Sequence, residues 1–117
     1  MKRRYKIAAV DFDGTIKPAE ENGKYPPPEP ECRAVLRDLK KNGWKLVLWT
    51  CRAGRNLTAA INYLKRHDLY DLFDAINDNI HPMRYKTSQK IVATIYIDDR
   101  VIGGFPGWDA VRKELLG

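Results

Sequence analysis

The feature that most constrains the fold of this chain is the alternation of short apolar runs with segments of helical periodicity. Four apolar runs predict strands at residues 5–10, 44–49, 72–76 and 93–97. Strands that alternate with helices are typical of an α/β layered fold whose sheet is mostly parallel. We therefore predict a three-layer, Rossmann-like fold. Because 117 residues leave room for one core of ordinary size, we expect a single domain over residues 1–117.

The composition excludes several other classes of protein. Hydrophobic residues make up 44% of the chain and charged residues 31%, a balance typical of globular proteins and not of disordered ones. No apolar run approaches the roughly 20 residues that span a bilayer, so we expect no membrane partner. The basic residues 1–6 lead into a strand-like segment without a cleavage site, which argues against a signal peptide. Two cysteines form no disulfide framework, so we predict a reduced, cytoplasmic protein.

Residues 17–28 differ from the rest of the chain because they are polar, rich in turn-forming residues and bounded by prolines. Within them Asn22-Gly23 is a strong signal for a two-residue hairpin turn. We therefore predict a small flap before the first helix. Further along, Asn56 is expected to cap the helix that follows the second strand.

Polar side chains follow three of the predicted strands at the point where each strand ends. Asp11 follows the first strand, Thr50 the second, and Asp98-Asp99 the fourth. The carboxyl ends of parallel strands meet at one edge of an open sheet, and ligands bind at that edge. Residues far apart in sequence are therefore predicted to form one site.

The segment Asp11-Phe-Asp-Gly-Thr15 is the most informative part of this site. Its two carboxylates and those of Asp98 and Asp99 would repel one another strongly at one edge unless a cation lay among them. Only oxygen ligands are available, and such ligands suit a hard ion such as Mg²⁺. The sequence therefore predicts a magnesium site.

These motifs resemble those of the haloacid dehalogenase (HAD) superfamily, whose members are mostly Mg²⁺-dependent phosphohydrolases. Residues 10–15 resemble the first motif of that superfamily, Thr50 the second and residues 97–99 the acidic fourth. The resemblance covers residues 5–100. It implies a HAD-like phosphatase that cleaves a phosphate ester through an aspartyl-phosphate intermediate.

The resemblance also implies a role for each matched residue. Asp11 would be the nucleophile, and Asp13 the general acid that later activates water. The Asp11 and Asp98 carboxylates would bind Mg²⁺ together with the Asp13 backbone carbonyl, and Asp99 completes the acidic set. Thr50 would donate a hydrogen bond to a phosphoryl oxygen.

A lysine should complete the site, and two candidates lie between the third and fourth strands. Lys90 lies nearer the fourth strand than Lys86, and we favour Lys90 as both catalytic and substrate-binding. Arg52, in the loop after the second strand, is a candidate for holding a substrate anion. The alternative for these lysines and for Arg52 is a solvated surface position.

The gaps between the motifs leave no room for the cap domain that many HAD enzymes carry. Cap-less members tend to act on bulky phosphorylated substrates or to close their sites through contacts between subunits. The resemblance is therefore compatible with a bulky phosphorylated substrate and with a homo-oligomer. The net charge of +6 favours anionic partners in general. The chain has no RNA-recognition motif and no basic stripe interleaved with aromatic residues, which argues against nucleic acid as a partner.

Two other functions compete with the phosphatase hypothesis. One is a catalytically silent HAD-like protein that binds a phosphorylated ligand. The other is a receiver-like signalling domain, which uses the same acidic, threonine and lysine side chains around Mg²⁺. The order of the motifs argues against a receiver, because here the Asp-x-Asp segment comes first and the Asp-Asp pair comes last.

Overall fold

The fold is known from a computed structural model that describes residues 6–80 and 88–117. Three helices and four strands follow one another along the described chain, with a short 3₁₀ turn at Tyr70–Leu72 before the third strand. Their bounds are β1 Lys6–Val10, α1 Pro30–Lys41, β2 Trp44–Leu48, α2 Gly54–Arg66, β3 Ala75–Ile76, β4 Ile95–Ile97 and α3 Trp108–Leu116.

The four strands form one parallel sheet in the order β3-β2-β1-β4. The connections through α1 and α2 step across the sheet in the same direction, and right-handed crossovers then place both helices on one face. The step from β3 to β4 runs the other way, so the same rule places that connection on the opposite face. This arrangement confirms the predicted α/β, Rossmann-like fold with a parallel sheet.

The main core lies between the sheet and the three helices. Alternate strand residues such as Ala8, Val10, Leu46 and Leu48 point into it, as the period of two in a strand requires. Helix α1 begins with a proline, which suits the first helical position. It contributes a stripe at the expected helical spacing, made of Cys32, Val35, Leu36 and Leu39.

The second face of the sheet carries a smaller core. Ile7 and Val47 point to this face, and Ile80 and Ile91 from the β3–β4 connection pack on them. Burial on both faces explains why the strands are apolar at consecutive positions. Within the described residues no cap domain is inserted between these elements, and no helix is long and apolar enough to cross a membrane.

The flap forms where the sequence predicts it. Glu21 and Lys24 make an antiparallel bridge, and the two residues between them have positive φ angles, 54° at Asn22 and 72° at Gly23. Positive φ at both central positions defines the turn that matches strand twist, and asparagine and glycine tolerate it best. The Tyr63 hydroxyl of α2 donates a 2.6 Å hydrogen bond to the Pro26 carbonyl, which anchors the flap.

Several element boundaries differ from the predictions. Asn56 does not cap α2, because the helix begins two residues earlier with Ala53 at its N-cap and no side-chain cap. The third strand is shorter than residues 72–76, since residues 70–72 form the 3₁₀ turn instead. The fourth strand begins at Ile95 and not at residue 93. The preceding residue, Thr94, accepts a hydrogen bond from the Ile7 N–H through its hydroxyl oxygen and donates one from its own N–H to the Ile7 carbonyl. The side chain thus replaces a backbone partner at this point of the ladder.

Candidate functional site

Three carboxylates meet at the carboxyl edge of the sheet. Asp11 directly follows β1, and Asp98 and Asp99 directly follow β4, the neighbouring parallel strand. The Asp11 N–H donates a 2.8 Å hydrogen bond to the Ile97 carbonyl, which fixes the ends of the two strands side by side. One carboxylate oxygen from each aspartate lies within 4.8 Å of the others. The predicted convergence of these residues is therefore found in the structure.

The Asp11 carboxyl is held in a strongly perturbed environment. Burial, followed by the negative charges of Asp98 and Asp99, raises its pKa to about 7. The Thr15 hydroxyl donates a 3.1 Å hydrogen bond to Asp11 Oδ2, and this bond lowers the pKa of Asp11. Without a cation this cluster therefore disfavours the ionised form of its central residue.

The turn after Phe12 brings Asp99 into contact with the backbone at Gly14. Gly14 has a φ of 82°, and a Cβ there would lie 2.1 Å from Asp99 Oδ2. The position requires glycine for both reasons, since a side chain would be strained and would displace the carboxylate. The glycine of the Asp-x-Asp-Gly segment thus serves the acidic cluster directly.

The donor set of this cluster fits a hard divalent cation. Asp11, Asp98 and Asp99 offer only oxygen atoms, and their mutual repulsion would be relieved by a positive charge among them. The Asp13 carboxylate does not belong to this group of three.

Thr50 follows β2 and lines the same edge. Its backbone N–H donates a 2.8 Å hydrogen bond to Asn77 Oδ1, and its hydroxyl oxygen accepts a 3.2 Å bond from the Arg52 N–H. The hydroxyl proton itself remains available to a ligand, because the oxygen acts only as an acceptor in these contacts.

Asp13 forms a two-bond ion pair with Arg52. Arg52 Nε lies 2.8 Å from Asp13 Oδ2, and a terminal guanidinium nitrogen lies 2.8 Å from Oδ1. These hydrogen bonds hold the pKa of Asp13 below its ordinary range. Asp11 and Asp13 are two residues apart, and their surroundings shift the two pKa values in opposite directions.

Lys17 is a buried cation beside this pair. Its side chain is 4% exposed, and its ammonium lies 3.7 Å from Asp13 Oδ1 and 3.8 Å from Glu20 Oε2. It also lies 4.6 Å from the centroid of the Tyr25 ring. A lysine is rarely this buried unless its charge is paired, and here both carboxylates lie within ion-pair distance.

Lys90, in contrast, is exposed. Its Nζ lies 5.0 Å from the centroid of the Tyr96 ring, and it is not among the residues that line the site cavity. The structure therefore does not bring Lys90 together with the carboxylates, and its catalytic role stays a prediction. Lys86 lies outside the described residues.

A cavity of about 650 Å³ opens at this edge of the sheet. Its lining combines the acidic cluster with Thr50 and Lys17; the full set is Asp11, Asp13, Gly14, Lys17, Ala19, Trp49, Thr50, Cys51, Asp98, Asp99 and Arg100. A second cavity of about 530 Å³ lies between β4 and α3 and is mostly apolar. Asp98 lines both cavities, whereas Asp11, Thr50 and Lys17 line only the first.

One solved structure resembles this chain over nearly its whole length. It belongs to a conserved protein from Bacteroides thetaiotaomicron and matches with a TM-score of 0.78 and 31% sequence identity. The match covers 94% of this chain and 88% of the other. The chain belongs to the family of that conserved protein. No family model matches this chain, and no curated protein does.

A TM-score of 0.78 shows that the two proteins share this fold.

Two features of the site were missed by sequence reasoning. Lys17 lies four residues after Asp13 in the turn, and the apolar and proline neighbours on either side of it hinted at burial. The pairing of Arg52 with Asp13 left no local signal, because it joins two loops 39 residues apart in sequence.

Proposed function

We propose that this chain is a magnesium-dependent phosphohydrolase that cleaves a phosphate ester through Asp11. The observation that carries the proposal is the group of three carboxylates, one from the end of β1 and two from the end of β4, within 4.8 Å of one another. A Mg²⁺ ion held by Asp11, Asp98 and Asp99 would supply positive charge to the phosphoryl oxygens and to the attacking carboxylate.

The proposed reaction has two steps, in which Asp11 and Thr50 have separate roles. An Asp11 carboxylate oxygen forms a bond to phosphorus as the bond to the ester oxygen breaks, which gives an aspartyl-phosphate. The Thr50 hydroxyl donates a hydrogen bond to a phosphoryl oxygen. Water then attacks the phosphorus, releases inorganic phosphate and restores Asp11.

Asp13 is the group that moves protons. As the resting pair with Arg52 leaves it ionised, it is in the form that accepts a proton from the attacking water in the second step. The first step needs the protonated form, so that the departing ester oxygen receives a proton. The negative charge of a bound phosphoryl group raises the pKa of Asp13, which opposes the effect of Arg52 and favours the protonated form.

The test is hydrolysis of an aryl phosphate with and without Mg²⁺. We expect turnover near neutral pH that EDTA abolishes and that Asp11→Asn removes, because an amide is a poor nucleophile. Asp71→Asn is the matched control, since Asp71 is an exposed aspartate in the 3₁₀ turn. Turnover that survives chelation would contradict the metal assignment, and turnover that survives Asp11→Asn would contradict the nucleophile.

A second candidate function is the silent protein that binds a phosphorylated ligand. It is favoured by the exposed position of Lys90 and by the engagement of Asp13 with Arg52. This candidate predicts Mg²⁺-dependent binding of inorganic phosphate in a calorimetric titration, with no turnover of aryl or alkyl phosphates in a substrate screen. The phosphatase proposal predicts turnover in the same screen.

A further inference from the structure

Arg52 has most of its hydrogen-bonding capacity filled by the protein itself. A guanidinium has five N–H donors. Two of them bind Asp13, one binds the Tyr25 hydroxyl at 3.2 Å, and one binds the Asn56 carbonyl at 3.0 Å. One donor is left. Arg52 was a candidate for holding a substrate anion, yet this geometry leaves no paired donors for a phosphate or carboxylate.

The guanidinium also lies close to two aromatic rings. Arg52 Cζ lies 5.0 Å from the centroid of the Phe12 ring and 5.4 Å from that of Tyr25. The Arg52 side chain is 13% exposed. A planar cation that lies close to two aromatic rings and is bonded at four donors has little rotational freedom left.

The pair joins three separate parts of the chain. Asp13 belongs to the turn after β1, Tyr25 to the flap, and Asn56 to the first turn of α2. Two parallel N–H···O bonds set the orientation of a carboxylate as well as its position. Nearly half of the Asp13 carboxylate is exposed, and without Arg52 it would keep the longer 3.7 Å ion pair with Lys17.

We propose that Arg52 is a positioning residue, which holds the Asp13 carboxylate toward the cavity and ties that orientation to the flap, and that it is not a ligand of the substrate phosphate. The inference rests on the proposed function and adds to it the group that aims its proton-transfer residue. The flap contributes through the Tyr25 hydroxyl.

The test compares two substrates that differ in their need for a proton. An alkyl phosphate has a leaving oxygen that must be protonated, whereas an activated aryl phosphate has one that leaves readily without it. If Arg52 aims Asp13, Arg52→Gln should lower kcat for the alkyl phosphate by roughly 30-fold or more and kcat for the aryl phosphate by about threefold or less, because general acid catalysis acts on the poor leaving group. KM should change little for either substrate.

Three further variants sharpen the comparison. Arg52→Lys should recover only part of the loss, because an ammonium cannot make the two parallel bonds. Tyr25→Phe should cost less than Arg52→Gln but in the same direction. Arg55→Gln is the control, since Arg55 is an exposed arginine three residues further along, and it should behave as the unmodified protein does.

A measurement without substrate tests the pair itself. In ¹⁵N-labelled protein the Arg52 Nε–H should exchange with solvent roughly tenfold more slowly than that of Arg55, or slower still, because it is hydrogen-bonded and its side chain is mostly buried. Asp13→Asn should remove the protection.

The possible results separate the two proposals. A rise in KM for both substrates in Arg52→Gln would make Arg52 a substrate ligand, and an equal fall of kcat for both would make its role merely structural; either overturns the inference while the phosphatase stands. Unprotected Arg52 Nε–H overturns the inference whatever the activity. A protein that turns over neither substrate, while Arg52 is protected, overturns the proposed function and with it the role assigned to the pair.

Discussion

At the scale of single residues, the site separates two aspartates of the same turn into two electrostatic environments. Burial and the charges of its acidic neighbours raise the pKa of Asp11 to about 7, whereas hydrogen bonds from Arg52 hold the pKa of Asp13 low. Pairs of carboxyl groups whose environments push their pKa values apart are typical of sites with two distinct chemical roles. The proposed nucleophile and proton carrier are such a pair.

Gly14 provides a residue-scale prediction. Gly14→Ala should lose about 1 kcal/mol of folding free energy from left-handed backbone strain, and it should also weaken Mg²⁺ binding because the new Cβ would displace the Asp99 carboxylate. Thermal denaturation with and without Mg²⁺ measures both effects.

Gly23→Ala is the matched control for this prediction. Gly23 has a φ of 72° but nothing within 4 Å of a Cβ, so the variant should share the strain and keep the response to Mg²⁺. If the two variants respond equally to Mg²⁺, the contact between Gly14 and Asp99 has no part in the site.

At the scale of elements, a hydrogen bond from α2 helps to hold the flap in place. Tyr63→Phe removes the hydroxyl that binds the Pro26 carbonyl and should cost about 1 kcal/mol of folding free energy in urea denaturation. Trypsin should also cut faster after the exposed Lys24 at the hairpin tip. An unchanged rate of cleavage would show that the flap is held by its other contacts, those of Tyr25 and Lys17.

The two cysteines lie on elements with opposite accessibility. Cys32 is fully buried on α1, and burial raises its pKa to about 12, whereas Cys51 is exposed in the loop that follows β2. A thiol reagent at pH 8 should therefore label one cysteine in the folded protein, and the second only after unfolding, since the thiolate is the reactive form. Cys51→Ser should abolish the rapid phase. Two rapid phases in the unmodified protein would contradict the packing of α1.

Much of the fold could be read from the sequence because it rests on local patterns. Consecutive apolar residues predicted doubly buried strands, and Asn22-Gly23 predicted the hairpin turn. Topology then predicted which strand-end residues converge, without any knowledge of their side-chain contacts. The predicted cap at Asn56 was wrong, because α2 begins at Gly54 and Asn56 lies within its first turn.

The features of the site that the sequence did not predict depend on contacts between loops. The partner of Arg52 and the burial of Lys17 are decided by how the flap folds back over the turn, and neither has a period or spacing that a sequence displays. The preference for Lys90 rested on distance along the chain to Asp98, whereas its side chain packs on the Tyr96 ring instead.

At the scale of the whole molecule, the acidic cluster should link metal binding to stability. The chain carries a net charge of +6, yet three like charges lie together at one edge of its sheet. An ion that binds only the folded state stabilises it, so Mg²⁺ at about a hundred times its Kd should raise Tm by roughly 10 °C. Asp98→Asn should shrink this shift, and Asp71→Asn should leave it unchanged. An equal shift in all three proteins would mean that Mg²⁺ binds elsewhere.

The central claim is that Asp11 takes the phosphoryl group from the substrate, and mass spectrometry of acid-quenched protein tests it most directly. Asp13→Asn should slow hydrolysis of the intermediate, so that incubation with an aryl phosphate and Mg²⁺ leaves the mass of one phosphoryl group on the chain. Peptide mapping should locate that group on Asp11, and the double variant with Asp11→Asn should carry none. A phosphoryl group on another residue, or an active enzyme in which Asp13→Asn never carries one, would contradict the account.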